Sequence, residues 1–551
     1  DYPDVDVIRV GDTYYMISTT MHFFPGGQIL ESHDLIHWEI CTYIYETLEH
    51  TPGERLEGEQ NIYGHGMWAA SLRYHNGKFY AVFIAHEWDK TFLFTSGHIR
   101  GPWTKHYIEG IYHDPSLLFD DDGKIYIVYG NRDIRLTELK EDMSGPKPGG
   151  IDRIIIRDAP GSFLGYEGSH IYKVNGKYVL FLIHSKQQEW YRIQACFVTD
   201  DLTGVWTGSD IMETDLDDLH SGPAQGGIVD TPDGKWFAVV FQDRGAVGRI
   251  PVLVPVTWNK DGYPVFGPVT KEISNKSTRS LDLQQHGAVT DDLPAQRENR
   301  HIGSRDIFQQ HGIQETHGIQ PQNGPSRIAP ARGGSEPLCA CDDFSSASLK
   351  KAWQFNHEPH PGFFKTGNGC YQIITDKVSR TLEYARNTLT QRTMLPGCSA
   401  EVTVDAGSIK NGDVTGLCLL VSSYAFIGIT REEESFFLVM KARNTPGKRP
   451  DTAKEDGQLL RETTEGETEF ARIPLAETQA RLRADVRFTG IMGEVQFSYL
   501  KNGSRKPLGC PHKMYFTLEH FTGCRFGLFL YASKMTGGKS SFRDFVYIPG
   551  N

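Results

Sequence analysis

Residues 72–80 read Leu-Arg-Tyr-His-Asn-Gly-Lys-Phe-Tyr: an alternating strand, an Asn-Gly turn and an aromatic strand. Similar units recur at residues 7–15, 117–126, 171–179 and 228–237. Asn-Gly and Asp-Gly favour the tight hairpin turns whose central residues need positive φ. The repeat therefore predicts five β-hairpins in the first half of the chain.

Several copies continue into a third element, in which a tryptophan (Trp38, Trp103 or Trp206) follows a turn-like segment. Each unit thus supplies three or four antiparallel strands, while helical periodicity is scarce. Sheets this small cannot bury both faces alone, so we expect them to pack radially as a five-bladed β-propeller. The alternative is a long β-sandwich with coincidental hairpins.

Composition is typical of a soluble globular protein, with 551 residues, 39% hydrophobic and 23% charged. This length favours two large all-β domains. A net charge of -12 argues against partners such as nucleic acid or anionic membranes. The chain opens on Asp-Tyr-Pro-Asp, which does not resemble a signal peptide, and both a cytoplasmic and a secreted location stay open. The oligomeric state is open as well.

The hairpins also predict where polar side chains converge. In a propeller the innermost strand of each blade lines the central channel, so the residues that begin these strands meet at one mouth. Nine residues before the turn glycine of four copies stand Trp68, Asp114, Glu167 and Gln225. The equivalent residue of the first, shorter hairpin is Asp4.

Three carboxyl groups at one mouth suggest glycoside hydrolysis. One carboxyl protonates the leaving oxygen, and another activates water or attacks the sugar. A third keeps the acid protonated through like-charge repulsion, and Trp68 offers a flat face for a sugar ring. The alternative is that Asp4 and Asp114, which each neighbour a proline, are turn or cap residues.

The sequence resembles glycoside hydrolase family 43, in its two-domain branch of β-xylosidases and α-L-arabinofuranosidases with a C-terminal concanavalin-like domain. The segments that carry the resemblance are residues 1–16, 21–26, 66–70, 113–116, 166–173, 242–249, 353–357 and 386–391, together with Phe344. The resemblance implies an inverting mechanism with Asp4 as general base, Glu167 as general acid and Asp114 as the group that tunes the acid's pKa.

The resemblance also implies substrate contacts. Arg249 matches an arginine that binds the terminal sugar, and Phe24 and Trp68 match apolar walls. Gln225 stands where many members carry a histidine that helps to bind a central ion or water, and because an amide is the weaker ligand we expect no channel metal. His184 is a further pocket candidate, with a structural role as the alternative.

The remaining chain divides into two regions. We predict that the propeller spans residues 1–274 and that residues 275–335, rich in Gln, His, Arg, Gly and Ser, form an irregular linker. Residues 336–551 return to short alternating strands, which predict a β-sandwich. The resemblance implies that this domain packs against the propeller and narrows the active site.

Asp343 and Asp544, with Asp342, are candidates for a structural calcium site near the ends of the sandwich domain. Solvated turn acids are the alternative. We expect the acid–base chemistry itself to need no cofactor.

We therefore expect an exo-glycosidase that releases terminal β-D-xylosyl or α-L-arabinofuranosyl residues from xylo- or arabino-oligosaccharides of hemicellulose. One rival is an endo-arabinanase of the same family. Another is a retaining fructan hydrolase, whose Trp-Met-Asn-Asp-Pro-Asn-Gly type of nucleophile motif is absent from the sequence. A third is a non-catalytic carbohydrate-binding propeller.

Overall fold

The computed structural model describes residues 1–85, 90–158, 163–187, 189–268, 334–443, 461–462 and 466–550. Regular structure in these ranges is β-strand, apart from single 3-10 turns at Gly245–Val247 and Leu382–Tyr384. No helix in this part of the chain has the length and apolar character that a bilayer crossing requires.

Five four-stranded antiparallel sheets form the first domain. The first strands of these blades contact one another in the order β1, β6, β10, β14 and β18, and β18 contacts β1, which closes a ring. The predicted five-bladed propeller is therefore confirmed. Its strands are β1 (Asp6–Val10), β2 (Thr13–Ser18), β4 (Gly26–Ser32), β5 (Glu39–Tyr45), β6 (Met67–His75), β7 (Lys78–Ala85), β8 (Lys90–Ser96), β9 (Thr104–Glu109), β10 (Ser116–Phe119), β11 (Ile125–Tyr129), β12 (Ile134–Leu139), β13 (Asp152–Ile156), β14 (Glu167–Val174), β15 (Lys177–Ser185), β16 (Arg192–Thr199), β17 (Thr207–Met212), β18 (Ala224–Asp230), β19 (Trp236–Asp243), β20 (Arg249–Trp258) and β21 (Pro264–Phe266).

The hairpin turns follow the logic of the sequence. Asn76 and Gly77 join β6 to β7 with φ of 48° and 77°, and Asn175 and Gly176 join β14 to β15 with φ of 52° and 78°. Both central residues are left-handed, as a type I′ turn requires, and Asn and Gly tolerate this conformation best.

A buried ion pair ties the inner strands together. Asp6 is fully buried in β1 and accepts hydrogen bonds from Arg73 Nη1 at 2.6 Å and from the Leu72 amide at 2.8 Å. Its Oδ1 lies 3.3 Å from His170 Nδ1 in β14. Burial opposes the charge on Asp6, but Arg73 and His170 outweigh it and lower its pKa to about 2. One carboxylate thus connects three blades.

The second domain is a β-sandwich, as predicted. One sheet is ordered β3-β22-β25-β36-β27-β28-β29-β31-β30, where β3 is Phe23–Phe24 of the propeller domain. The other is ordered β23-β24-β37-β26-β32-β33-β34, beside which β35 pairs with β33. Its strands are β22 (Gln354–Asn356), β23 (Phe364–Gly367), β24 (Cys370–Ile374), β25 (Leu389–Arg392), β26 (Gly397–Ser408), β27 (Asp413–Leu420), β28 (Ala425–Glu432), β29 (Ser435–Arg443), β30 (Arg461–Glu462), β31 (Glu467–Leu475), β32 (Gln479–Thr489), β33 (Met492–Lys501), β34 (Ser504–Pro507), β35 (His512–Met514), β36 (Arg525–Ala532) and β37 (Lys539–Pro549). Most of the predicted linker lies outside the described residues, so the domain boundaries stay a prediction.

The two domains share a sheet and a buried polar interface. The two-residue strand β3 (Phe23–Phe24) leaves the propeller and pairs with β22 of the sandwich. Gln354 receives hydrogen bonds from Arg392 and Arg525 at 2.9 and 2.8 Å, and it donates to the Pro25 carbonyl at 2.8 Å. Because buried charged groups are costly to leave unpaired, these contacts fix the orientation of the sandwich on the propeller.

Candidate active site

The residues that begin the inner strands share an unusual backbone conformation. Asp4, Asp114 and Gln225 have φ of 52°, 45° and 65°, in the left-handed region that non-glycine residues rarely adopt. At Glu167 the strand is instead bulged, and the next residue, Gly168, is left-handed. Backbone strain of this kind therefore occurs in three blades, at Asp4, Asp114 and Gln225, and is typical of functional sites, as is the bulge at Glu167.

Asp4 is held by the first and fifth blades. Its Oδ2 accepts a hydrogen bond from Thr19 Oγ1 at 2.7 Å, and its two oxygens lie 3.0 and 3.2 Å from Arg249 Nη1. Arg249 is only 1% exposed, and its Nη2 donates to the Phe521 carbonyl at 3.0 Å. The guanidinium therefore neutralises a carboxylate that is buried beside it.

Asp114 and Glu167 lie on either side of one histidine. His113 Nε2 is 3.7 Å from Asp114 Oδ1 and 3.5 Å from Glu167 Oε2. The Gly168 amide donates to Asp114 Oδ2 at 3.0 Å, and Asn131 Nδ2 donates to Glu167 Oε2 at 2.5 Å. Side chains of the third and fourth blades therefore form one compact acid–base cluster.

The electrostatics of this cluster are unusual. Burial raises the pKa of Asp114 to about 6, helped by the charges of Glu167 and Asp4 and opposed by His113. Burial works against the charge on His113, but Asp114 and Glu167 outweigh it and raise the pKa of His113 to about 9. At neutral pH the site thus combines an imidazolium with a carboxyl group that titrates close to neutrality.

A second buried arginine lies beside the cluster. Arg192 begins β16, is 3% exposed and contacts Asp243. Burial lowers its pKa to about 10, with Arg249 adding to the effect and the negative charges of the carboxyl cluster opposing it. Arg192 has no signal in the sequence pattern, because it follows a loop and has no counterpart among the inner-strand positions.

The apolar walls come from both domains. The Trp68 ring lies 5.9 Å from the His113 ring and 6.0 Å from the ring of Phe521 in the sandwich domain. Phe521 also covers the Arg249 guanidinium at 4.3 Å. Phe24, expected as a wall, instead packs in the hydrophobic core between the first two blades, with its ring 6.1 Å from Tyr45.

The other predicted binding residues differ in position. Gln225 is buried beside the acid strand, where a Cβ on Gly168 would lie 2.9 Å from its Cγ. The backbone N–H of Gln225 donates to Gln194 Oε1 at 2.9 Å. His184 Nε2 instead lies 2.8 Å from Asp210 Oδ1 on the outer strand of its own blade. These contacts direct His184 toward that outer strand.

Two sets of side chains contain groups that metal ions bind in proteins. In the described part of the chain, His113, Asp114 and Glu167 have ligand atoms within 4.8 Å of one another. Because a metal binds only the neutral imidazole, an ion at this place would have to displace the proton of His113 at neutral pH.

The calcium site expected at Asp343 and Asp544 gains no support from their contacts. The side chain of Asp343 accepts a hydrogen bond from the Ser345 amide at 2.9 Å. The neighbouring Asp342 accepts from the Phe344 amide at 2.8 Å and from Trp353 Nε1 at 2.9 Å. The calcium site therefore stays a prediction.

A propeller that gathers three carboxyl groups, two arginines and two aromatic walls at one mouth defines a carbohydrate-hydrolysing class of protein. Residues 1–264 match the family model of glycosyl hydrolases family 43, and residues 341–548 match the β-xylosidase C-terminal concanavalin A-like domain. The chain belongs to glycosyl hydrolases family 43.

Several known proteins are similar to this chain in sequence or structure. A putative β-xylosidase of Xylanibacter ruminicola is 26% identical over 439 residues, which cover 78% of this chain and 72% of that protein. A non-reducing end α-L-arabinofuranosidase of Bacteroides ovatus is 27% identical over 290 residues, covering 48% and 51%. A solved structure of a bifunctional GH43-CE protein of Bacteroides eggerthii has a TM-score of 0.80 at 34% identity, covering 100% of this chain and 63% of that one. The chain thus spans only part of each of these proteins.

Proposed function

We propose that this protein is an inverting exo-glycosidase that removes terminal β-D-xylosyl or α-L-arabinofuranosyl residues from hemicellulose-derived oligosaccharides. The observation that carries the proposal is the convergence of Asp4, Asp114 and Glu167, from three blades, at one mouth that Trp68 and Phe521 border. Family membership implies oligosaccharide substrates, and the names of the relatives favour these two pentoses.

In the proposed reaction Glu167 donates its proton to the glycosidic oxygen, while Asp4 takes a proton from the water that attacks the anomeric carbon. Arg249 and Thr19 hold Asp4 in one orientation, so its carboxylate is positioned before substrate arrives. His113 lies between the acid and Asp114, 3.5 Å from Glu167 Oε2 and 3.7 Å from Asp114 Oδ1. These steps use only carboxyl groups and water, so the proposed reaction needs no cofactor.

The contribution of the sandwich favours exo over endo action. Phe521 lies over Arg249 and against Trp68, so the second domain borders the mouth that an endo-acting enzyme would leave open along a groove. A pocket of this kind accepts a chain end, which agrees with release of single sugars.

The experiment that tests this proposal compares Glu167→Gln with the unmodified protein on nitrophenyl glycosides and on xylo-oligosaccharides. A good leaving group needs little protonation, so we expect a loss of about a hundredfold or more on oligosaccharides and a much smaller loss on nitrophenyl substrates. Equal losses on both substrate types would refute the acid assignment, and activity on neither pentose in the unmodified protein would refute the function. His184→Gln serves as a matched control, because His184 is directed toward Asp210 on the outer strand.

A further inference from the structure

Two large aromatic side chains are exposed on the acid side of the mouth. Phe163 is 55% exposed and Trp190 is 37% exposed. Their ring centroids lie 5.8 Å apart at an interplanar angle of 82°, so they form an edge-to-face pair. Exposing two such rings together is costly in water, and paired exposed aromatics commonly mark a binding surface.

The two loops that carry this pair are joined by hydrogen bonds. The Leu164 amide donates to Ser185 Oγ at 2.8 Å, and the Ser185 amide donates to the Leu164 carbonyl at 3.0 Å. Arg132 of the third blade donates from Nη2 to the Phe163 carbonyl at 3.1 Å and from its amide to the Tyr166 carbonyl at 2.7 Å. These hydrogen bonds hold the two segments together, so Phe163 and Trp190 form one fixed surface, the aromatic platform.

The position of the platform decides which part of a substrate it meets. Phe163 lies four residues before Glu167 on the segment that leads into β14. Trp190 stacks on Arg192, 5.0 Å from its guanidinium carbon, and donates to Asp243 at 3.2 Å. Trp190 thus connects the fourth blade, which carries the acid, with the fifth blade, to which Asp243 belongs. Phe163 lies on the acid's own blade, whereas Asp4 is held by Thr19 and Arg249. Since the acid protonates the leaving oxygen, the sugar beyond that oxygen lies on the acid's side.

We propose that Phe163 and Trp190 form a binding subsite for the leaving-group sugars of an oligosaccharide substrate. Pentopyranose and furanose rings present C–H faces that pack on aromatic rings, while their hydroxyl groups stay in water at an exposed platform. This inference rests on the proposed glycosidase function and adds to it a preference for oligosaccharides over simple glycosides.

The test measures kcat/KM for xylotriose relative to methyl β-D-xyloside, whose leaving group contains no sugar. The same ratio is measured for α-1,5-arabinotriose relative to methyl α-L-arabinofuranoside. We expect Phe163→Ala to lower the ratio about fivefold, the size of one aromatic packing interaction, and Phe163→Tyr to restore it. Val205→Ala is the matched control, because Val205 is 81% exposed on the same blade at the opposite end of β16, and it should leave the ratio unchanged.

The outcomes separate this inference from the proposed function. An unchanged ratio in Phe163→Ala would overturn the subsite, and so would an equal loss on all substrates, which indicates damage to the site itself. If the unmodified protein hydrolyses none of the four substrates, the proposed function fails instead. Trp190→Phe provides the second variant, because it keeps an aromatic face and removes the hydrogen bond to Asp243. The ratio of kcat/KM values should stay within about twofold of that of the unmodified protein. A fall in this ratio as large as that of Phe163→Ala would count against the aromatic platform.

Discussion

His113→Gln is the substitution that tests the electrostatics of the site most sharply. The imidazolium lies 3.7 Å from Asp114 Oδ1 and 3.5 Å from Glu167 Oε2, and its positive charge lowers the pKa of Asp114 against the effect of burial. Glutamine keeps a polar side chain of similar reach but carries no charge. Removing the charge should therefore raise the pKa of Asp114.

The size of the effect follows from the distance. Two unit charges 3.7 Å apart attract by roughly 4.5 kcal/mol at an effective dielectric constant of about 20, equivalent to about three pKa units. The His113 side chain is 23% exposed, so solvent and salt screen part of this attraction. We expect the pKa of Asp114, which is about 6, to rise by roughly one to two units in the variant.

The assay is the pH dependence of kcat/KM on a nitrophenyl pentoside. The ionisation of Asp114 in this profile should move to higher pH by about one to two pH units, because its carboxyl group binds a proton more tightly without the imidazolium. His184→Gln, in which the lost histidine faces Asp210 instead, should leave the profile in place. An unmoved profile for His113→Gln, or a shift to lower pH, would refute this reasoning.

Two further substitutions test the pocket wall at Phe521 and the buried ion pair between Asp6 and Arg73. Phe521→Ala removes the ring over Arg249 and should lower kcat/KM about tenfold without changing the melting temperature. The control is Leu518→Ala: Leu518 is 62% exposed in the same segment, and its loss should have little effect. Equal activity of the two variants would contradict the role of Phe521 as a pocket wall. Asp6→Asn leaves Arg73 without its buried partner and should cost about 3 kcal/mol, or roughly 6 to 12 °C in melting temperature, with the exposed Asp233→Asn as control. Because the pKa of Asp6 is lowered, its ionised form stabilises the fold above the unfolded pKa near 4, and this stabilisation of about 2 kcal/mol is lost as the pH falls toward 2. A melting temperature of Asp6→Asn equal to that of the unmodified protein would contradict the stabilising role of the ion pair between Asp6 and Arg73.

Local sequence predicted the propeller because its turns are local. Asn76-Gly77 and Asn175-Gly176 encode tight hairpins that need no tertiary context. Counting back from such glycines reached Asp114, Glu167 and Gln225, since each lies nine residues before its turn glycine although the inner strands β10, β14 and β18 are 4, 8 and 7 residues long. The count could not reveal the left-handed backbone at Asp114 and Gln225, which depends on the packed ring.

The features that sequence did not predict depend on distant contacts. Phe521 reaches the mouth only because the sandwich docks through β3, a strand of two residues with no periodic signal. Arg192 follows a loop of irregular length. His113 directly precedes Asp114 in the sequence, and this adjacency was the signal that could have placed it in the site. Phe24 was expected in the pocket, but an apolar residue on a core face and one on a pocket wall look alike in sequence.

The most direct test of the account is the anomeric configuration of the first sugar released, followed by proton NMR during hydrolysis of a β-xyloside. If Asp4 activates a water while Glu167 protonates the leaving oxygen, the first product is α-xylose, which then equilibrates in solution. Initial release of β-xylose would show that a carboxylate attacks the sugar directly, and it would contradict the roles proposed for Asp4 and Glu167.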